Sequence, residues 1–123
     1  MSEAKYYYNE DSTEYAVLIS TGYGTGWSTA NERKELAYDC RVIWFWVMHH
    51  DPEFCKKLMN PNSYEHFEAQ TFFKVCCGYD DVYFGGYENI QMKWIPVGTK
   101  IYIGEYDGLE YIRKEADIDW ICS

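Results

Sequence analysis

A chain of 123 residues can build one core and not two. Its net charge of −9, with 11 Lys and Arg against 20 Asp and Glu, argues against a nucleic-acid backbone as partner, because that needs clustered cations. The longest apolar run, "VIWFWVM", is far short of the ~20 residues that cross a membrane.

The N-terminal stretch "MSEAKYYYNEDSTE" is polar and acidic, unlike a signal peptide, and residues 1–13 are expected to be a flexible lead into a single domain spanning 1–123. Tyr15 to Ser20, "YAVLIS", is a β-branched apolar run that reads as a buried strand. "GYGTGWSTAN" follows, Gly22 to Asn31. Thr29 and Glu32 have capping-box spacing, so a helix is expected to begin near Asn31 or Glu32. Its apolar stripe would be Leu36, Cys40, Ile43, Trp44 and Val47, with Pro52 just beyond its end. "PEFCKKLM" makes a short helical piece. Asn62 and Glu65 then cap a second main helix that runs to about Cys77, where Gly78 suits a left-handed terminator.

"GYDDVYFGGYEN" is a polar-aromatic loop, expected to be mobile or to face a ligand. "NIQMKWI" alternates Ile90, Met92 and Trp94 on one face, and Asp107-Gly108 joins "KIYIGEY" to "LEYIRK" as a hairpin. "DIDWICS" brings Trp120 and Ile121 back to pack. The order is strand, helix, helix, β-meander: an α+β domain with two main helices packed on a small antiparallel sheet.

The glycine loop is the first candidate site. A strand, a glycine-rich turn and a helix N-terminus can aim backbone N–H groups at a phosphate. The Gly-x-Gly-x-Gly spacing matches neither the dinucleotide fingerprint nor a P-loop, and no Lys follows the last glycine. A wide turn with Trp27 plugging the core explains the same residues. The ligand reading takes Tyr23, Gly24, Thr25, Gly26, Trp27, Ser28, Thr29 and Asn31 as its cradle. Tyr83, Phe84 and Tyr87, with Tyr79 nearby, could stack a base, or pack back onto the domain. Arg113 completes the expected ligand-binding set.

Catalytic and metal constellations are thin, and no catalytic residue, metal or cofactor is expected. His49, His50 and Asp51 are consecutive, and neighbours on a helix point about 100° apart, so they suit a helix C-terminus better than one ion. His66 reaches a thiol only if the fold brings one close. Asp80, Asp81, Glu105, Asp107, Asp117 and Asp119 sit mostly in turns, where Asp is ordinary. Cys40, Cys55, Cys76, Cys77 and Cys122 are odd in number and lack Cys-x-x-Cys spacing. They read as reduced thiols, mostly buried, in a cytoplasmic protein. The 20% aromatic content, with 13 tyrosines, exceeds what so small an interior must hide, so some rings should line a groove or a contact between two copies of the chain.

Two stretches carry a family resemblance. "GYGTGWSTAN" followed by "LAYDCRVI" resembles small phage and prophage proteins in which "YGAGWSTWN" precedes "LAFDKR". The tail "WIPVGTKIYIGEYDGLEYI", ending in "DW", is similar to their "W-P-x-G-T … EYDG-x-E-x-I … DW". Ala30 stands where those proteins have Trp, and Cys40 where they have Lys. The resemblance implies a phage accessory protein acting in the host cytoplasm, from a family with no assigned enzyme activity. Such proteins often counter host defence, and here the glycine-rich helix mouth with its aromatics suits sequestering a small nucleotide signal, whereas the acidic charge suits, alternatively, anti-CRISPR-like inhibition of a host defence protein.

Overall fold

β1, Glu14–Ser20, is buried at six consecutive residues, and its two faces serve two different cores. Side chains alternate across a strand. Ala16 and Leu18 therefore join the helices, whereas Tyr15, Val17 and Ile19 join Ala37, Ile95 and the isoleucines of a C-terminal hairpin. That double coverage is why the run has no polar alternation. The computed structural model describes residues 5–22, 26–31 and 33–114. The expected packing of Trp120 and Ile121, and Cys122, Asp117 and Asp119, lie outside the described residues.

β2, Ile90–Pro96, pairs antiparallel with β1, from Glu14 opposite Pro96 to Ser20 opposite Ile90. β3, Ile101–Tyr106, and β4, Leu109–Lys114, form a separate two-stranded sheet. The α+β class holds, but the meander does not: β2 pairs with β1, not with β3. The turn after Pro96, with Gly98 at φ 91°, lifts the chain away so that the hairpin lies over the other face of β1. The hairpin turn itself is as expected, with Asp107 and Gly108 both left-handed at φ 51° and 89°.

The helical layer also departs from the expected phase. Instead of one helix from Asn31, a single 3-10 turn, Lys34–Ala37, is followed by a break at Tyr38, and α1 runs Cys40–Met48. Asp39 is the N-cap, accepting from the Arg41 N–H at 2.9 Å. This restart shifts the helical face, so Val42, Ile43 and Phe45 are buried while Trp44 and Val47 are exposed. α2, Pro52–Leu58, is capped by Asp51, and α3, Tyr64–Cys77, by Ser63 rather than Asn62. Gly78 ends α3 at φ 81°, as its sequence position predicts. The N-terminal segment, expected to be flexible, is paired from Lys5 onward. Tyr6 bridges to Asp39, Tyr8 bridges to Tyr15, and the Cys40 N–H donates to Lys5 O at 2.7 Å.

Candidate functional site

The glycine loop does gather N–H donors, but the anion they hold belongs to the chain. Glu110 of β4 is 2% exposed. Its Oε1 accepts from the Ser20 N–H at 2.8 Å. Its Oε2 accepts from the Trp27 N–H at 2.8 Å, the Thr29 N–H at 2.9 Å and the Thr29 hydroxyl at 2.6 Å. The N–H groups of Trp27 and Thr29, among the described residues of the loop, are thus already met by a carboxylate. The Thr29 hydroxyl caps no helix.

Gly26, Trp27 and Asn31 of the expected cradle also hold the fold. Trp27 is fully buried, donates from Nε1 to Leu36 O at 3.2 Å and stacks on Phe84 with centroids 6.2 Å apart. Phe84, Tyr87 and Tyr79 are core residues, so the polar-aromatic loop packs back on its own domain and leaves only the ring of Tyr83 exposed among them. The Asn31 amide clamps that loop, donating to Trp27 O and Tyr83 O and accepting from the Tyr83 N–H at 2.7 Å. Gly26 and Gly86 meet backbone to backbone: a Cβ on Gly86 would lie 2.2 Å from Gly26 O. Tyr23, Gly24 and Thr25 lie outside the described residues. Arg113 is exposed on β4, opposite Tyr102.

Beside this filled loop lies an open groove of about 800 Å³. One wall is the chain that leaves the glycine loop, from Arg33 to Tyr38, and the other is the start of β3, from Thr99 to Ile103. Tyr6 lines it as well, and Val17, Ser28 and Thr29 contribute to its lining. The Tyr6 ring centroid lies 4.5 Å from that of Tyr15 and 4.7 Å from that of Tyr38, so three phenols form one continuous surface. Burial, helped by the charge of Glu35, holds the Tyr38 hydroxyl above its ordinary pKa. Burial does the same for Tyr15, which donates to Thr99 O at 3.1 Å. Both are neutral donors at physiological pH. Among the described residues, Arg33, Lys34 and Lys100 line the groove with one carboxylate, Glu35.

A second polar cluster braces the wall that carries Tyr38. Asp39 is fully buried and accepts from Arg41 Nε at 3.0 Å, Arg41 Nη2 at 2.7 Å and the Tyr79 hydroxyl at 2.7 Å. Burial alone would raise the Asp39 pKa, but the hydrogen bonds from Arg41 and Tyr79 and the Arg41 charge outweigh it and hold the carboxyl below its usual range. Arg33 in turn sits 5.9 Å over the Tyr79 ring.

The remaining candidates are absorbed by the fold. His50 Nδ1 hydrogen-bonds Trp46 O at 2.8 Å at the end of α1, His49 stacks on Phe54, and His66 Nδ1 contacts Leu58 O at 2.8 Å. Among the described residues no three His, Cys, Asp or Glu side chains converge as a metal site. Cys55 and Cys77 are buried, Cys40 is half-buried and Cys76 exposed, all as free thiols; burial pushes the Cys77 thiol up to about 12. Among the same residues no helix is long and apolar enough to cross a membrane. Comparison with known protein families, curated proteins and solved structures gives no match to this chain.

Proposed function

We propose that this chain is a non-enzymatic binding protein that captures a small phosphate-bearing nucleotide, and that the ligand sits in the Arg33–Lys100 groove, not in the glycine loop. The observation that carries this reading is charge segregation. Three cations line one aromatic groove in a molecule of net charge −9. The cations suit phosphate, the phenols suit a base and sugar, and the volume is that of a small-molecule site. With the motif resemblance, the biological reading is a phage accessory protein in the host cytoplasm that withdraws a defence signal.

The test is to incubate the purified protein with a cell nucleotide extract and analyse what it retains by mass spectrometry. A nucleotide should be retained, released intact by heat, and lost at least tenfold in an Arg33→Glu, Lys100→Glu variant of unchanged circular dichroism. Retention of nothing, or equal retention by the variant, overturns the groove as the site.

One observation favours inhibition of a host protein as a second reading. α3 exposes Tyr64, Phe67 and Val75 at 66%, 67% and 75%, and α1 exposes Trp44 and Met48. Exposed apolar side chains of this size on neighbouring helices suit a protein partner. Recovery of one host protein in stoichiometric ratio, in place of a nucleotide, would establish it. A homodimer also belongs to the proposal: Tyr102 and Tyr106 of the hairpin are 56% and 72% exposed, and light scattering on the same sample reports the mass.

A further inference from the structure

The proposed groove is not uniformly basic. Glu35 lies in the same turn of chain as Lys34, lines the same space as Arg33 and Lys100, and its charge acts on the Tyr38 hydroxyl. Among the described residues three cations and one carboxylate give the lining +2, against a net charge of −9 for the whole chain. Arg33 is also restrained, with its N–H donating to Ser28 O at 3.2 Å and its guanidinium over Tyr79. The positive region is therefore small and partly fixed, with Glu35 inside it.

We infer that Glu35 is a specificity-determining charge filter, restricting the groove to nucleotides of about two negative charges and rejecting triphosphates. This rests on the groove being the nucleotide site. A terminal phosphate carries roughly −1.5 to −2 at neutral pH. A nucleoside monophosphate is thus balanced by the +2 lining. The added phosphates of a triphosphate extend a chain of charge that three cations cannot match, and some of that charge must face Glu35 or the acidic body. Like charges brought together in the groove repel, and such juxtaposition disfavours the more highly charged ligand. Glu35 also offers acceptor oxygens to the hydroxyl or amino donors of a nucleoside, so it rejects excess phosphate without rejecting the ligand class.

Calorimetric titration of the full chain with AMP, GMP, ATP and GTP, in EDTA at fixed ionic strength, tests this. Wild type should bind each monophosphate at least tenfold more tightly than the matching triphosphate. Glu35→Gln should tighten triphosphate binding about fivefold and leave monophosphate binding within twofold. An Arg33→Gln, Lys100→Gln variant should weaken both. If triphosphates bind as well as monophosphates, or Glu35→Gln does not tighten them, the filter is overturned while the groove stands on the Arg33→Gln, Lys100→Gln result. If no nucleotide binds wild type, or that double variant binds normally, the groove reading fails and the filter with it.

Discussion

A carboxylate at 2% exposure is tolerable only where donors converge on it, and Glu110 has four. Those bonds join the end of β1, the glycine loop and β4 at one point. Glutamine at 110 keeps the shape but one oxygen only. With that oxygen where Oε2 stands, the amide nitrogen takes the place of Oε1 and faces the Ser20 N–H, donor against donor. Leaving that buried donor opposed should cost about 2 kcal/mol. Urea denaturation at pH 7 of Glu110→Gln should show that loss with an unchanged slope. A wild-type midpoint would mean that the carboxylate does not latch the loop.

α1 depends on one residue at its entrance. Asp39 caps the helix, holds Arg41 and receives the Tyr79 hydroxyl from beyond the end of α3, so one carboxylate fixes where α1 starts and how α3 leaves. Its pKa is lowered in the fold, so its contribution is complete above the unfolded value near 3.9 and is lost as pH falls through the lower folded value. Stability measured by urea from pH 7 to pH 2 should therefore drop steeply below about pH 4. Asp39→Asn should flatten part of that acid limb and lower stability at pH 7 by about 3 kcal/mol. An unaltered acid limb would remove Asp39 from it. The same residue explains where the sequence misled. Leu36, Cys40, Ile43 and Trp44 share a helical period on paper, but the chain breaks at Tyr38 to use Asp39 as a cap, and the face turns. Local signals were legible: the β1 run, the Gly78 terminator and the Asp107-Gly108 turn each depend on a few adjacent residues. The donors of the glycine loop were legible too. What fills them was not, because Glu110 is 81 to 90 residues away. The groove was hidden for the same reason, since Arg33 and Lys34 come from one segment and Lys100 from another, and a net charge of −9 drew attention away from cations.

The molecule is layered as helices, β1–β2 and hairpin, and the layers are unequally secured. β1 is covered on both faces and laddered to β2 over seven residue pairs. Among the described residues β3 and β4 pair only with each other, and Glu110 and the packing of Ile101, Ile103 and Ile112 on Val17, Ile19 and Ala37 hold them to the body. Two-stranded ribbons are marginal without such support. The hairpin is also one wall of the groove, and the Arg33–Tyr38 segment is the other. A ligand that touches Lys100 and Arg33 together therefore tethers the chain entering the hairpin to the Arg33–Tyr38 segment. Opening of the hairpin would break those contacts, and binding to the closed form alone raises the cost of opening. Amide hydrogen exchange should find β3–β4 exchanging faster than β1–β2 in the free protein. A saturating nucleoside monophosphate should slow the hairpin amides about tenfold, with β1–β2 little changed. Binding without hairpin protection would show that the nucleotide sits on the Arg33 wall alone. The two-walled site would then be wrong even if the ligand class is right.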